Sequence, residues 1–192
     1  MADEALQMPK LGTRASDRRA PRFAVVDSKV EAPFVAAFEA RDGTHEPAWL
    51  GDLRHAGLEA FRILGLPNRR IEDWKYTDLR AQLREAFDFA DAPTEPPAHP
   101  WLDELDGKTH RIEFVDGLLR SGLDALPEGL EVIAMTDWSD DAPAWLRTAM
   151  PAPTPDDRRP LLALNTALMQ AGVAVRVPKG VQLARPIEFV YA

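Results

Sequence analysis

Proline divides this sequence into three parts. Two stretches, DAPTEPPAHP (91–100) and PAPTPDDRRP (151–160), each place four prolines within ten residues. Proline lacks a backbone N–H and fixes φ, so neither stretch can lie inside a helix or a central strand. We therefore expect two extended connectors. They bound a small α/β segment over 91–160, with a helical domain before it and a further element over 161–192.

Residues 28–90 are predicted to form the helical domain. The clearest helix spans 47–64, where apolar side chains recur along one stripe. Pro47 suits its first position, and Gly65 followed by Pro67 prevents its continuation. This helix is therefore the firmest local prediction that the sequence allows.

Two further helices are expected around this one. Ser28 and Glu31 have the spacing of a capping box, which predicts a helix that begins there or nearer Glu31 and ends at Gly43. A shorter helix is predicted within 72–87. Residues 1–27 precede this domain and are expected to form a flexible N-terminal tail.

The period of the apolar residues changes after the first connector. THRIEFVDGLL (109–119) contains an Asp-Gly pair at 116–117, which is typical of a two-residue hairpin turn. LEVIAM (130–135) is predicted to be a further strand, and a helix is expected at about 141–149. These elements make up the small α/β segment.

The last part, 161–192, combines a helix with short β runs. LLALNTALMQA (161–171) is predicted to be helical, with Gly172 as its stop. Beyond it, apolar runs at 173–177 and 187–191 are punctuated by Gly and Pro, with no helix between them. This pattern suits stacked turns of a β-solenoid. The predicted fold class is α+β, with an N-terminal helical region and a small β element before the first turns of a right-handed β-helix.

One or two rungs of a β-helix cannot bury their own faces, because each rung packs against its neighbours. We therefore expect either a truncated chain or neighbours supplied by another molecule. Strands at 173–177 and 187–191 would leave unpaired N–H and C=O groups along their outer edge. A homodimer formed through this edge is the resulting expectation.

Charge and composition exclude several classes of function. The formal net charge is −8, which disfavours nucleic acid as a partner, because phosphate binding needs a concentrated basic surface. The basic run RASDRRAPR (14–22) is interpreted as part of a solvated tail, with a phosphate-binding arm as the alternative. No stretch approaches the length of about 20 apolar residues that a membrane span needs. With an acidic start and no cysteine, a cytoplasmic protein without disulfides or thiolate ligands is expected.

The residues that usually carry chemistry do not form a recognisable site. The four histidines lack metal-ligand spacing, and His55 with Glu59 is interpreted as a surface pair. Three acidic pairs lie where helices are predicted to start, which favours capping over acid/base catalysis: Glu72-Asp73, Asp140-Asp141 and Asp156-Asp157. No glycine-rich phosphate loop is present. We predict no catalytic, cofactor-binding or metal-binding residue, and hence no enzyme.

The tryptophan side chains allow two interpretations of their role. The favoured one is core packing, with each indole N–H bonded locally. The rings of Trp74 and Tyr76 are expected to pack against the preceding helix and to anchor the loop that follows it. The alternative is a stand-alone ligand-binding protein or enzyme whose helical part has a pocket lined by several tryptophans, namely Trp49, Trp74, Trp101 and Trp145.

Two stretches resemble a known family. GLPNRRIEDWKYTDL (65–79) is similar to the N-terminal signature of SufD, in the SufB/SufD family of the SUF iron–sulfur cluster assembly system. LLALNTALMQAGVAVRVPKGVQLARPIEFVY (161–191) resembles the helix that leads into the β-helix of the same proteins. The resemblance covers about 47–192. Its signature residues are interpreted as structural, and here they are Pro67, Arg70, Glu72, Trp74, Tyr76 and Thr77.

The resemblance implies a role in assembly without catalysis. In that family, SufD pairs with its paralogue SufB, and both bind the ATPase SufC. Their complex builds iron–sulfur clusters, with a reduced flavin implicated in iron supply. For this chain, it implies a SufB-like paralogue and a SufC-like ATPase as partners. The family's functionally implicated residues near the SufB interface and its SufC-binding region lie beyond residue 192, so no cluster ligand or SufC contact is carried over to this chain.

Overall fold

The computed structural model describes residues 29–85, 95 and 104–192. The N-terminal tail and most of the first proline-rich stretch therefore lie outside the described residues. Single turns of 3-10 helix occur at Glu72–Trp74, Met135–Asp137 and Pro155–Asp157. The mixture of helices and small sheets confirms the α+β class. In chain order the elements are α1 (Ala32–Ala40), α2 (Ala48–Leu64), α3 (Leu79–Gln82), β1 (His110–Val115), β2 (Leu118–Ser121), β3 (Glu131–Ala134), α4 (Ala144–Ala149), α5 (Pro160–Leu168), β4 (Val173–Arg176) and β5 (Ile187–Tyr191).

Helix α2 lies at the centre of the core and matches the predicted 47–64 helix. Pro47 occupies the capping position just before the helix, and Gly65 ends it with φ of 64°. The Gly65 N–H donates to the Phe61 carbonyl at 2.7 Å. Four members of the predicted apolar stripe are each less than a tenth exposed, namely Leu50, Leu53, Ala60 and Phe61. The other three are half-buried, namely Trp49, Ala56 and Leu64.

Helix α5 packs closely against α2 at a glycine. A Cβ added at Gly57 would lie 2.8 Å from the Ala163 carbonyl oxygen and 3.0 Å from the Ala167 nitrogen. Both atoms belong to the backbone of α5, so they cannot rotate away. Gly57 therefore sets how closely the two helices approach.

We expect Gly57→Ala to lower the free energy of unfolding by about 2 kcal/mol, because the added methyl group forces α5 away from α2. Gly51→Ala in the same helix is the matched control. Its Cβ would meet only the end of the Glu46 side chain, at 3.4 Å, so better helix propensity should stabilise it by up to about 1 kcal/mol. Urea unfolding measures both variants. Equal stability changes would contradict the close-packing interpretation.

Helix α1 begins near Glu31, which is one of the two predicted starts, but it ends earlier than predicted. It begins at Ala32 and ends at Ala40, before Gly43. Ser28 lies outside the described residues. Glu31 occupies the capping position, but its side chain forms no capping hydrogen bond to the helix. That side chain is instead turned into the core, where it contacts a later part of the chain.

The predicted hairpin is confirmed as β1 and β2. Asp116 and Gly117 have φ values of 51° and 80°, as a two-residue turn between antiparallel strands requires. The strands pair in antiparallel register, with an irregularity between Glu113 and Phe114. The predicted strand at 130–135 forms as β3, and the predicted helix at 141–149 forms as α4.

The two β runs of the last part form, and each pairs with an earlier strand. β4 pairs antiparallel with β3, and β5 pairs parallel with β1. The sheets are therefore β2-β1-β5 and β3-β4. Helix α5 ends at Leu168, so Gly172 is not its stop. Met169 already has an extended backbone, and the Gly172 carbonyl accepts a hydrogen bond from the Met135 N–H at 2.9 Å.

Candidate functional site

Residues 67–80, called the signature loop below, form a compact loop with adjoining ends. The Arg80 N–H donates to the Pro67 carbonyl at 3.2 Å, which closes the loop. A compact surface loop of this size with closed ends is an Ω-loop, a structure that frequently carries function. The loop contains all six of the predicted signature residues and is the candidate functional site.

A buried carboxylate holds the base of the signature loop. The side chain of Glu31 is 1% exposed, and its Oε1 accepts the Leu66 N–H at 2.7 Å. Its other oxygen lies 3.5 Å from Nη2 of Arg80. Leu66 and Pro67 are fully buried beside it. Since a Cβ on Gly65 would lie 2.7 Å from Oε1, only glycine allows the carboxylate to approach this closely.

A series of turns orders the rest of the loop. The Ile71 N–H donates to the Asn68 carbonyl at 3.0 Å, and the Trp74 N–H donates to the Ile71 carbonyl at 2.9 Å. The Thr77 N–H then donates to the Trp74 carbonyl at 2.9 Å. Finally, Oδ1 of Asp78 accepts the Ala81 N–H at 3.0 Å and caps α3. Each turn uses nearby donors and acceptors, which fixes the backbone between the buried Pro67 and α3.

The six signature residues do not share one environment. Pro67 is buried and Trp74 is half-buried, whereas the other four are exposed, namely Arg70, Glu72, Tyr76 and Thr77. Tyr76 is 88% exposed. The prediction that its ring grips the preceding helix is therefore wrong. Residues 72–74 form one 3-10 turn and α3 begins only at Leu79, so no continuous helix turns this ring inward.

Sequence reasoning missed Glu31 as the anchor of this segment. The residue that it holds, Leu66, is 35 positions away. No local spacing relates two such positions. The one available signal was a carboxylate directly after the apolar residue Val30, and we interpreted it as a helix cap.

A second charged cluster joins α1, α2 and α5. Both guanidinium nitrogens Nη1 and Nη2 of Arg41 bind the Glu46 carboxylate, at 2.6 and 2.9 Å. Nε of Arg54 lies 2.9 Å from Oε2 of Glu46 without the alignment of a hydrogen bond, so this contact is electrostatic. Nη1 of Arg54 donates to the Ala167 carbonyl at 3.1 Å. Burial lowers the pKa of Arg54, and the positive charge of the neighbouring Arg41 adds to this effect. The cluster connects the end of α1, the start of α2 and the α5 backbone.

A comparison with known protein families identifies the family of this chain. The family model described as the SufBD protein N-terminal region matches residues 34–101 and 109–189. The chain belongs to this SufBD family. The match contains the whole signature loop and β4, and it ends within β5. No match was found among curated proteins.

In this SufBD region, the acidic pairs act in capping and local pairing. Asp157 accepts hydrogen bonds from the Thr154 N–H at 2.8 Å and its hydroxyl at 2.9 Å. The backbone hydrogen bond is the main cause that lowers the pKa of Asp157. Asp140 caps a different helix from the one predicted, because it accepts the Ala48 N–H at the start of α2. Glu72 pairs with Lys75 instead of capping.

The predicted surface pair of His55 and Glu59 does not form. Nδ1 of His55 lies 2.8 Å from the Gly51 carbonyl, and Glu59 pairs with Arg62 at 2.9 Å. Within residues 29–85, 95 and 104–192, no group of three or more His, Asp or Glu side chains is arranged to hold a metal ion. Over the same residues, no helix has the length and apolar character to cross a membrane.

The tryptophans of the SufBD region do not converge on one pocket. Trp49 and Trp138 pack with ring centroids 5.6 Å apart, and the Trp49 indole donates to the Ser139 carbonyl at 2.9 Å. Trp145 lies with Trp138 along a cleft of about 620 Å³, whereas Trp74 belongs to the signature loop. Trp101 lies outside the described residues. The predicted pocket therefore does not assemble from the described members of that set.

Proposed function

We propose that this chain is the N-terminal region of a SufD-like component of a SUF iron–sulfur cluster assembly scaffold. Membership of the SufBD family, over residues 34–101 and 109–189, is the observation that carries the proposal. The likeness of the signature loop sequence to SufD supports SufD over SufB. In this proposal the chain works in the cytoplasm, performs no reaction itself, and contributes binding surfaces.

The proposed partners are a SufB-like paralogue and a SufC-like ATPase. The iron–sulfur cluster and the reduced flavin belong to the assembled complex, and this chain holds neither. The test is to express the complete reading frame with both partners and to purify it by a tag. Retention of both partners is expected, and a protein that retains neither would overturn the proposal.

Genetic complementation separates SufD from SufB. A bacterial strain that lacks SufD should recover growth under iron limitation when it carries the complete reading frame. A strain that lacks SufB should not recover. The reverse result would keep the family and overturn the assignment to SufD.

We also propose that β4 and β5 begin a β-helix. β5 is the outer strand in the sheet order β2-β1-β5, and its Phe189 and Tyr191 are 44% and 73% exposed. An outer strand with exposed aromatic rings favours the addition of another strand. The added strand would cover these rings, as the next rung of a β-helix does.

For the 192-residue chain, we expect concentration-dependent dimers in light scattering, formed through this outer strand. Phe189→Lys should shift the chain to monomer, because a charge on the edge opposes strand pairing. Leu162→Lys, at a position on α5 that is 46% exposed, is the matched control and should leave the dimer unchanged. A wild-type chain that stays monomeric at all concentrations would contradict pairing through this edge.

A further inference from the structure

We propose that the signature loop is a docking site for an acidic segment of a partner protein. This goes beyond the proposed function, because it assigns a binding role to residues interpreted from sequence as structural. Three properties of the loop carry the inference: its fixed shape, its unpaired arginines and its exposed tyrosine.

The shape of the loop is fixed before any partner binds. Its base is held by the buried carboxylate of Glu31, and its ends are joined by the hydrogen bond from Arg80 to Pro67. Between them, the N–H groups of Ile71, Trp74, Lys75 and Thr77 donate to carbonyls within the loop. A surface that is ordered in advance loses little conformational entropy on binding, so more of the contact energy remains for affinity.

The charges of the loop are incompletely paired. Lys75 pairs with Glu72 at 2.7 Å, and Asp78 caps α3. By contrast, the exposed guanidinium groups of Arg69 and Arg70 form no hydrogen bond or ion pair within the part of the chain that the structure describes. Two adjacent arginines that have no carboxylate partner are suited to bidentate contacts with the carboxylates of another molecule.

The two free arginines run against the charge of the chain, which is −8. The signature loop contains four basic and three acidic side chains. Because Lys75 pairs with Glu72 and Arg80 with Glu31, Arg69 and Arg70 supply the positive charge that complements an acidic surface. Complementary charge raises the rate and the specificity of protein association.

The exposed tyrosine adds an aromatic contact to the charged contact that Arg69 and Arg70 would make. Tyr76 is 88% exposed, and Nζ of Lys75 lies 5.2 Å from its ring centroid. Tyrosine and arginine are the residue types that most often dominate the energy of protein interfaces. Nucleic acid and anionic lipid need a concentrated basic surface, and two free arginines on a chain of net charge −8 do not form one, so the loop favours a protein partner.

The test places a photo-reactive benzoylphenylalanine at Tyr76 of the complete protein, expressed together with its SufB-like and SufC-like partners. We expect a covalent adduct with another protein, mapped to a segment rich in Asp and Glu. The double variant Arg69→Glu/Arg70→Glu should lower the adduct yield at least ~10-fold, because it reverses the complementary charge. A peptide that copies the mapped segment should bind the purified chain more weakly as salt is raised.

The chain offers a matched control for this charge reversal. Arg158 and Arg159 are also adjacent and exposed, so Arg158→Glu/Arg159→Glu changes the net charge equally and should leave the adduct unchanged. The same label at Leu162 should not capture the acidic segment. Thermal melts of all variants should match the wild type, which excludes unfolding as the cause.

Several outcomes would overturn the inference: no adduct at position 76, an adduct with a second copy of this chain, an adduct removed by nuclease or containing lipid, or a yield unaffected by reversal of Arg69 and Arg70. The tagged purification of the same cells reports separately on the proposed function. Loss of the SufB-like and SufC-like proteins from the wild-type sample, with the adduct at Tyr76 retained, would overturn only the proposed function.

Discussion

Gly122→Ala is expected to lower the free energy of unfolding by roughly 3 kcal/mol or more, from backbone strain and a steric clash combined. Gly122 has φ of 106°, a region that side chains rarely adopt. An added Cβ would lie 2.8 Å from the Cα of Ile112 and 2.9 Å from the carbonyl carbon of Arg111. Both atoms are backbone of β1, the central strand of its sheet, so neither can move aside without disturbing the pairing on both sides.

Thermal unfolding measures this effect, which corresponds to a fall in Tm of about 6–12 °C for a chain of this size. Gly180→Ala is the control. Gly180 also has positive φ, of 89°, but an added Cβ would meet no atom within 4 Å. It should lose only about 1 kcal/mol, from the backbone conformation alone. Equal losses for the two variants would show that close approach to β1 does not matter.

Glu31→Ala is expected to lower the free energy of unfolding by about 2–3 kcal/mol, because it leaves the buried Leu66 N–H without an acceptor. The same change removes the partner of the Arg80 side chain at the base of the signature loop. We therefore expect faster hydrogen exchange at the Leu66 amide and through residues 67–80, before global unfolding. Urea unfolding and native-state exchange measure the two effects.

Glu39→Ala is the matched control for this carboxylate. Glu39 also forms an ion pair, with Arg62 at 2.8 Å, but its side chain is 63% exposed. Exposed pairs contribute little, so the free energy of unfolding should change by no more than about 0.5 kcal/mol. Equal stability of the two variants would show that the buried carboxylate of Glu31 does not hold the loop.

Local patterns predicted the elements that depend on local forces. The stripe along 47–64 predicted α2, because an amphipathic period and flanking Pro and Gly define a helix without reference to the rest of the chain. The Asp-Gly pair at 116–117 predicted the hairpin, because its backbone requires positive φ. The runs at 173–177 and 187–191 likewise predicted β4 and β5.

The candidate site was predicted in position but not in arrangement. The sequence located the signature loop and its six residues by their resemblance to a family. It did not show that Tyr76 faces solvent, because a helix and a series of turns have similar local propensities over so few residues. It also did not reveal Glu31, since the bond to Leu66 spans 35 residues.

Most of the helices and strands followed from the sequence alone, because periodicity, proline and glycine act within a few residues. Which elements contact one another was decided only by the tertiary structure. β5 pairs with β1, Asp140 caps α2, and Glu31 holds the signature loop. Each of these contacts joins positions far apart in the chain, and buried polar groups find such partners only when the whole core has packed.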